Sequence, residues 1–289
     1  MEPTGTAAAM HDVEVHPSQH QRARGTLHVS WKRRDEATVL DTLGQEGCLK
    51  ARFPRADPLA WPCAVTLNCA GGVAGGDVLA TRLTAGRGTA VTVASQAAER
   101  IYRALPGLTA SIGTTLRVEA GAALEWLPQE TILFDRCAVD RTLNIHLADD
   151  AWFLGVESLV FGRAAMGEVV TEARLHDRIT LQRGGRLLLH DAIRIEGPVA
   201  RLLARPAVGG GARGVATLLH AAPDAARHLD PLRAALAPLN ATWEAGASCW
   251  DGLLLARIVA PEGAALRRAV TAGLNILRGG RTLPRVWMC

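Results

Sequence analysis

Along residues 24–197 the apolar positions recur with a period of two. Over residues 139–147, Val139, Leu143, Ile145 and Leu147 share one side with Arg141, while Asp140, Thr142, Asn144 and His146 hold the other. Four apolar positions of five on one side and none of four on the other fit a half-buried strand; a helix would scatter them. Similar segments recur at 26–31, 64–68, 89–94, 114–119, 130–134, 152–161, 168–176, 178–183 and 187–196, separated by turn residues such as Gly71-Gly72, Gly75-Gly76, Gly121, Pro128, Gly167 and Gly184-Gly185. Many short strands with short turns predict a mainly β fold, a β-helix-like coil or stacked sheets. No repeat of fixed length is visible, so a regular solenoid is not read from the sequence.

The pattern changes after Pro198. Asp230 followed by Pro231 reads as a helix start, a capping side chain with proline at the first helical position, and Leu232, Ala235, Leu236 and Leu239 then fall on one face. A second helix opens at Pro261-Glu262 and closes at Gly279-Gly280 behind Arg278. Its Leu266, Ala269, Val270, Gly273, Leu274 and Leu277 make one apolar stripe, expected to pack on the protein's own core. Between the helices, 252–259 reads as one more strand. The expected organisation is a flexible tail over 1–23, then a single domain over 24–289. That domain has a β body to about 197 and a part from about 198 with two helices. The tail's His11, His16 and His20 lie among few large apolar residues that would order a metal site.

Composition bounds the function. In 289 residues, 48% hydrophobic and 21% charged with a net charge of +4, there is enough apolar material for a large core. No apolar run reaches the roughly 20 residues that cross a bilayer, and no basic start precedes an apolar segment, so a cytoplasmic protein is expected. Six cysteines are spread thinly without any C-x-x-C pair and read as reduced thiols. Of 32 cationic residues only Lys32 and Lys50 are lysines, and 11 arginines against 5 acids fall in residues 201–289. Such an arginine-rich third suits docking to an acidic protein or reflects a solvated face. Nucleic acid is excluded as a partner, since no dense basic run alternates with stacking aromatics.

Motifs for catalysis are missing: there is no phosphate-binding G-x-x-x-x-G-K-[ST] loop, no H-E-x-x-H helix and no G-x-S-x-G turn. The glycine-rich run from Gly71 to Asp77 lacks the lysine and is followed by strand-like sequence, so it reads as a turn between strands. Carboxylates gather in the stretch from Leu124 to Asp135, which holds Glu125, Glu130 and Asp135. A glutamate between apolar neighbours is either solvated or buried, paired and functional. Oxygen ligands of this kind bind a divalent ion weakly, which suits transit better than storage.

These stretches carry a resemblance. Gly71-Gly72-Val73-Ala74-Gly75-Gly76-Asp77 resembles the G-G-V-x-G-G-D motif of the UreD (UreH) family of urease accessory proteins, and the block from Leu124 to Asp135 is similar to that family's L-E-W-L-P-Q-E-x-I-x-F-x block. Tyr102-Arg103, Phe161-Gly162-Arg163 with Gly167-Glu168, and Leu283-Pro284-Arg285-Val286-Trp287 match further family blocks in the same order. Departures are Cys69-Ala70, where the family has two prolines, the segment from Ala51 to Arg55, and His190-Asp191 in place of a Glu-Arg pair. The resemblance implies a β-helix-like fold with a pair of helices near the C-terminus. It further implies a non-enzymatic scaffold that binds UreF, through it the GTPase UreG, and docks on apo-urease. Nickel would be in transit, without a permanently bound cofactor, along an internal polar passage. Asp77, Glu125, Glu130, Asp135 and Glu168 are the candidate passage residues, because a hydrated cation needs negative, oxygen-rich walls. The alternative is a β-helical carbohydrate-active hydrolase or lyase, which would need paired carboxylates in an open groove.

Overall fold

The structure, a computed structural model, describes residues 21–55, 60–163, 166–238 and 240–288. The chain begins with two antiparallel pairs, β1 (Arg24–Arg34) with β2 (Ala37–Gly47), and β3 (Leu49–Arg52) with β4 (Cys63–Asn68). It then winds through β5 (Val78–Ala85), β6 (Ala90–Ser95), β7 (Glu99–Ile101), β8 (Ala110–Val118), β9 (Ala123–Leu127), β10 (Thr131–Leu133), β11 (Ala138–Leu147), β12 (Trp152–Phe161) and β13 (Glu172–Arg183). β1, β5, β8, β11 and β13 stack in parallel in one sheet; β4, β6, β9 and β12 stack in parallel in a second. The chain changes sheet at each corner, so the body is a coil of strands. Short β7 and β10, lying parallel to each other and to the end of β12, add a third side. Val78 lies beside Ser111, Ala110 beside Val139 and Ala138 beside Arg174, so successive turns of the coil differ in length. That unevenness explains why no fixed repeat is legible.

β14 (Arg186–Pro198) returns antiparallel along β13 and ends the first sheet. A short helix α1 (Val199–Leu203) follows, then β15 (Gly214–Ala221), α2 (Leu229–Leu236), β16 (Glu244–Trp250), β17 (Leu253–Ala260) and α3 (Gly263–Leu277). β15, β17 and β16 extend the second sheet antiparallel beyond β12. The second sheet is therefore covered on both sides. Leu124, Trp126, Phe153 and Leu159 point into the core between the sheets, whereas Leu127, Leu154, Val156 and Leu218 pack outward with α2 and α3. Burial on both sides explains why β12 is apolar at nearly every position, with Glu157 and Ser158 as the exceptions.

The mainly β fold and the C-terminal helices are as expected, with differences of detail. The segments 168–176 and 178–183 belong largely to one strand, β13, and 252–259 is the second strand of a hairpin whose first, β16, was not foreseen. The stripe of α3 is buried from Leu266 to Leu277 as expected. Asp230, expected to cap α2, lies inside its first turn; a single 3-10 turn at Ala225–His228 leads into the helix, so the preceding His228 takes the cap position. Leu239, Cys289 and the tail as far as residue 20, with its three histidines, lie outside the described residues. No described helix is long and apolar enough to cross a membrane.

Candidate functional site

Between the two sheets lies a cavity of about 400 Å³ whose walls carry Glu99, Arg141, Glu157 and Asp177 together with Asn68, Thr131 and Gln129. Arg141 projects inward from β11 and pairs with Glu157 of β12; its Nε also lies 3.7 Å from Asp177 of β13 and its Nη1 donates to Thr131 at 3.2 Å. Trp126 Nε1 donates to Glu157 at 2.7 Å, and Asn68 Nδ2 donates to Glu99 at 3.2 Å. One guanidinium thus serves two acids, and Glu99 stands apart on Asn68. Burial raises Glu99 above the ordinary carboxylate range; Glu157 is also raised, by burial and by Asp177, against the pull of Arg141. A much smaller void of about 10 Å³ adjoins Glu157 and Asp177 and touches Asp191, whose carboxylate takes Arg257 Nη2 at 2.6 Å. Polar groups therefore continue from Glu99 through Glu157 and Asp177 to Asp191 of β14.

The sequence flags these residues only indirectly. Arg141 is the single exception on the apolar side of its strand, Asp177 holds the equivalent exception in β13 among Leu175, Ile179 and Leu181, and Glu157 is the lone acid within an apolar run. A charged side chain on an inward position requires partners, and here the partners are each other.

The five carboxylates named from sequence lie elsewhere. Glu125, on β9 beside Trp126, points outward and is fully buried. It accepts Arg278 Nε at 2.9 Å and Nη2 at 2.8 Å, Arg281 Nη2 at 2.7 Å and Thr92 Oγ1 at 2.6 Å. Burial alone would raise its pKa; these donors outweigh it and hold the carboxyl below the ordinary range. Glu130 takes a two-pronged contact from Arg267 of α3, both bonds 2.9 Å, while Gln129 accepts from the same guanidinium and donates to Val286 O. Trp287 Nε1 donates to Leu127 O at 3.0 Å, so the block from Leu124 to Glu130 is the seat of α3 and the C-terminal segment.

Asp135 and Glu168 meet at one corner of the coil. The Asp135 amide donates to Glu168 Oε1 at 3.2 Å, Glu168 takes Arg163 Nε at 2.8 Å, and Asp135 Oδ1 accepts the Thr171 amide at 2.7 Å and hydroxyl at 2.8 Å. Both acids are lowered: Glu168 chiefly by Arg163, Asp135 by backbone and hydroxyl donors that outweigh desolvation. Arg163 also stacks over Phe134, which meets Tyr102 edge-on at 5.1 Å. Asp77 closes the glycine-rich loop by accepting the Ala74 and Ala23 amides, each at 2.8 Å. Within that loop Gly72 sits under Tyr102, where an added Cβ would lie 2.3 Å from a ring carbon. Asp135 and Glu168 come together, then, while Glu125, Glu130 and Asp77 each have a separate set of partners.

Several of the C-terminal arginines are likewise internal: Arg257, Arg267, Arg278 and Arg281 neutralise Asp191, Glu130 and Glu125 of the body. None of the five described cysteines forms a disulfide, and burial pushes Cys63 up to about 11 and Cys137 to about 12.

Comparison with known proteins agrees with the layout of these blocks. Residues 23–288 match the family described as UreD urease accessory protein. The chain is 47% identical over 267 residues to a protein of Xanthobacter autotrophicus named urease accessory protein UreD, covering 92% of this chain and 90% of that protein. It is 48% identical over 253 residues to a Methylobacterium protein of the same name, covering 86% and 89%. An Azorhizobium caulinodans protein, again so named, is 44% identical over 269 residues, covering 93% and 97%.

Proposed function

Because the chain belongs to the UreD family of urease accessory proteins, we propose that it serves urease maturation as a non-catalytic scaffold through which nickel passes to apo-urease. The observation that carries this reading is the acid-rich cavity inside the coil. Glu157 and Asp177 share one permanent cation, Arg141, and Glu99 is held by the neutral amide of Asn68, so the cavity offers acidic, hydrogen-bonding walls to a hydrated divalent ion. Among the described residues these acids do not converge closely enough to chelate an ion together. Weak, sequential oxygen contacts favour passage over retention. In this reading Asp77, Glu125, Glu130, Asp135 and Glu168 act by holding the walls in place rather than by touching the ion. Their partners are arginines and amides that a cation would have to displace.

The scaffold works within an assembly that includes UreF and, through it, the GTPase UreG. GTP hydrolysis belongs to that partner, which fits the lack of a phosphate-binding loop in this sequence. A carbohydrate-active hydrolase reading is less well supported, because Glu125 and Glu130 are each held by arginines and are poorly placed to exchange protons with a substrate.

The test is urease activation in cells that carry Glu99→Gln, Glu157→Gln or Asp177→Asn, with co-purification of the assembly followed in parallel. Activation that falls several-fold while the assembly stays intact supports the passage. Full activation by all three variants, at normal protein levels, removes the cavity from the proposal.

A further inference from the structure

On the opposite side of the second sheet from the cavity, three ligand-type side chains come together. β15 ends in His220, and the chain continues as His220-Ala221-Ala222-Pro223-Asp224-Ala225-Ala226-Arg227-His228. The 3-10 turn Ala225–His228 folds this segment back on itself, so that one ligand atom from each of His220, Asp224 and His228 lies within 4.8 Å of the other two. The His220 and His228 rings meet at 81° with centroids 5.2 Å apart.

His220 carries the argument. Its side chain is fully buried, its Nδ1 is 3.0 Å from Phe153 O, and its Nε2 has no hydrogen-bond partner. Because a carbonyl only accepts, Nδ1 is the protonated nitrogen, and Nε2 presents a lone pair with nothing to receive it. A buried polar atom without a partner is costly, and a ring nitrogen fixed in its tautomer by a backbone carbonyl is the arrangement that metal-bound histidines use.

We propose that His220, Asp224 and His228 form a binding site for a first-row divalent transition-metal ion, separate from the interior cavity. Two imidazoles and one carboxylate are borderline donors suited to nickel, zinc, cobalt or copper rather than to magnesium or calcium. At metal–ligand distances of about 2.1 Å, neighbouring ligands sit about 3–4 Å apart. The closure needed is small and falls to Asp224, which lies on the surface. Burial, which pushes His220 down to about 4, agrees with a neutral ring at pH 7.

Arg227 is the competing cation. Its Nε donates to His228 Nε2 at 3.2 Å and its Nη2 lies 2.9 Å from Asp224, so the guanidinium bridges two of the three ligands. The Arg227 side chain is 68% exposed, and an exposed ion pair of this kind contributes little, so a divalent ion displaces it readily. Trp152, edge-on to His220 at 5.2 Å, forms the apolar wall behind the site.

The experiment is calorimetric titration of the full-length, metal-free protein with Ni²⁺ alone and with Zn²⁺ alone, in the absence of urease and partners. Wild type is expected to take up an equivalent of metal that His228→Ala and Asp224→Asn weaken by more than the roughly 10–100-fold typical of losing an outer partner. Arg227→Ala, which removes the competitor, is expected to bind several-fold tighter. Isotherms that coincide for wild type, His228→Ala and Asp224→Asn overturn the site, as does a wild type that binds neither ion. If His228→Ala fails to fold, the two exposed positions decide: an unchanged isotherm in both Asp224→Asn and Arg227→Ala overturns it. Asp224 and His228 do not line the cavity, so loss of this site and loss of the passage are read from different variants and different measurements.

Discussion

The second sheet separates two buried charge clusters with opposite balances. On its outer side one acid, Glu125, meets two arginines and a threonine. On its inner side two acids, Glu157 and Asp177, share one arginine, and a third, Glu99, is held by an amide. Glu125 is driven below the ordinary carboxylate range, whereas Glu99 and Glu157 are driven above it. Adjacent residues of one strand, Glu125 and Trp126, belong to the two different clusters simply because side chains alternate across a sheet. Burial by itself thus says little about a carboxylate's role. The number of cations around it separates a fastening from a site that still attracts one.

The largest effects come from removing the central group of each cluster. Glu125→Ala strands Arg278 in the core and is expected to cost about 3–5 kcal/mol in denaturant unfolding. Arg141→Met leaves Glu157 and Asp177 facing each other without their cation and costs a similar amount, about 3–5 kcal/mol, at neutral pH. The two variants part company on acidification. The Arg141→Met deficit shrinks first, as acids already raised take up protons, while the Glu125→Ala deficit persists until the pH falls through the lowered pKa of Glu125. Equal pH profiles for the two would erase the distinction.

A middle-sized effect tests how tightly the outer layer is built. Gly273 of α3 faces Leu218 and Leu232, and an added Cβ would lie 2.6 Å from Leu218 Cδ1. Gly273→Ala is therefore expected to destabilise by about 1–3 kcal/mol, despite alanine's better helix propensity. A gain in melting temperature would mean that the layer is loose.

The pH dependence of single carboxyls gives smaller signals of opposite sign. Glu125 is lowered in the folded state, so its contribution is present above the unfolded carboxylate range and is lost as pH falls through its folded pKa. Glu99 is raised, so its penalty sets in as pH climbs past the unfolded value and is complete above the folded one. Glu99→Gln should accordingly match wild type in acid and equal or exceed it in stability at pH 8, by less than about 1 kcal/mol. Smallest of all is Asp230→Ala. With Asp230 inside the first turn rather than capping it, the loss is a few tenths of a kcal/mol, about the size of a helix-dipole contribution. A loss near 1 kcal/mol would restore the capping role.

The period-two pattern makes many of the body's strands legible but not β3, β5, β7 or β9, and Pro261-Glu262 and Gly279-Gly280 bracket α3. β2 escaped notice because its exposed, mixed sequence has no apolar side, and β15 because burial on both sides erases alternation. The cavity was half visible: Arg141 already stood out on the apolar side of its strand, but nothing local indicates that Glu157 and Asp177 are brought to it by the next two strands. The match of Glu125 with Arg278 is similarly non-local, which is why motif residues that fasten the C-terminal layer were read as walls of a passage.

The antiparallel ribbons at both ends of the first sheet, β1 with β2 and β13 with β14, have a further consequence. A parallel stack has no intrinsic stopping point, since every rung offers the next one the same ladder of amides and carbonyls. Reversing the strand direction at either border, on outermost strands that carry Asp41, Glu46, Arg194 and Glu196, breaks that offer. The coil is self-terminating. Charged side chains on those edge strands oppose the edge-to-edge pairing by which copies would otherwise grow into a fibre.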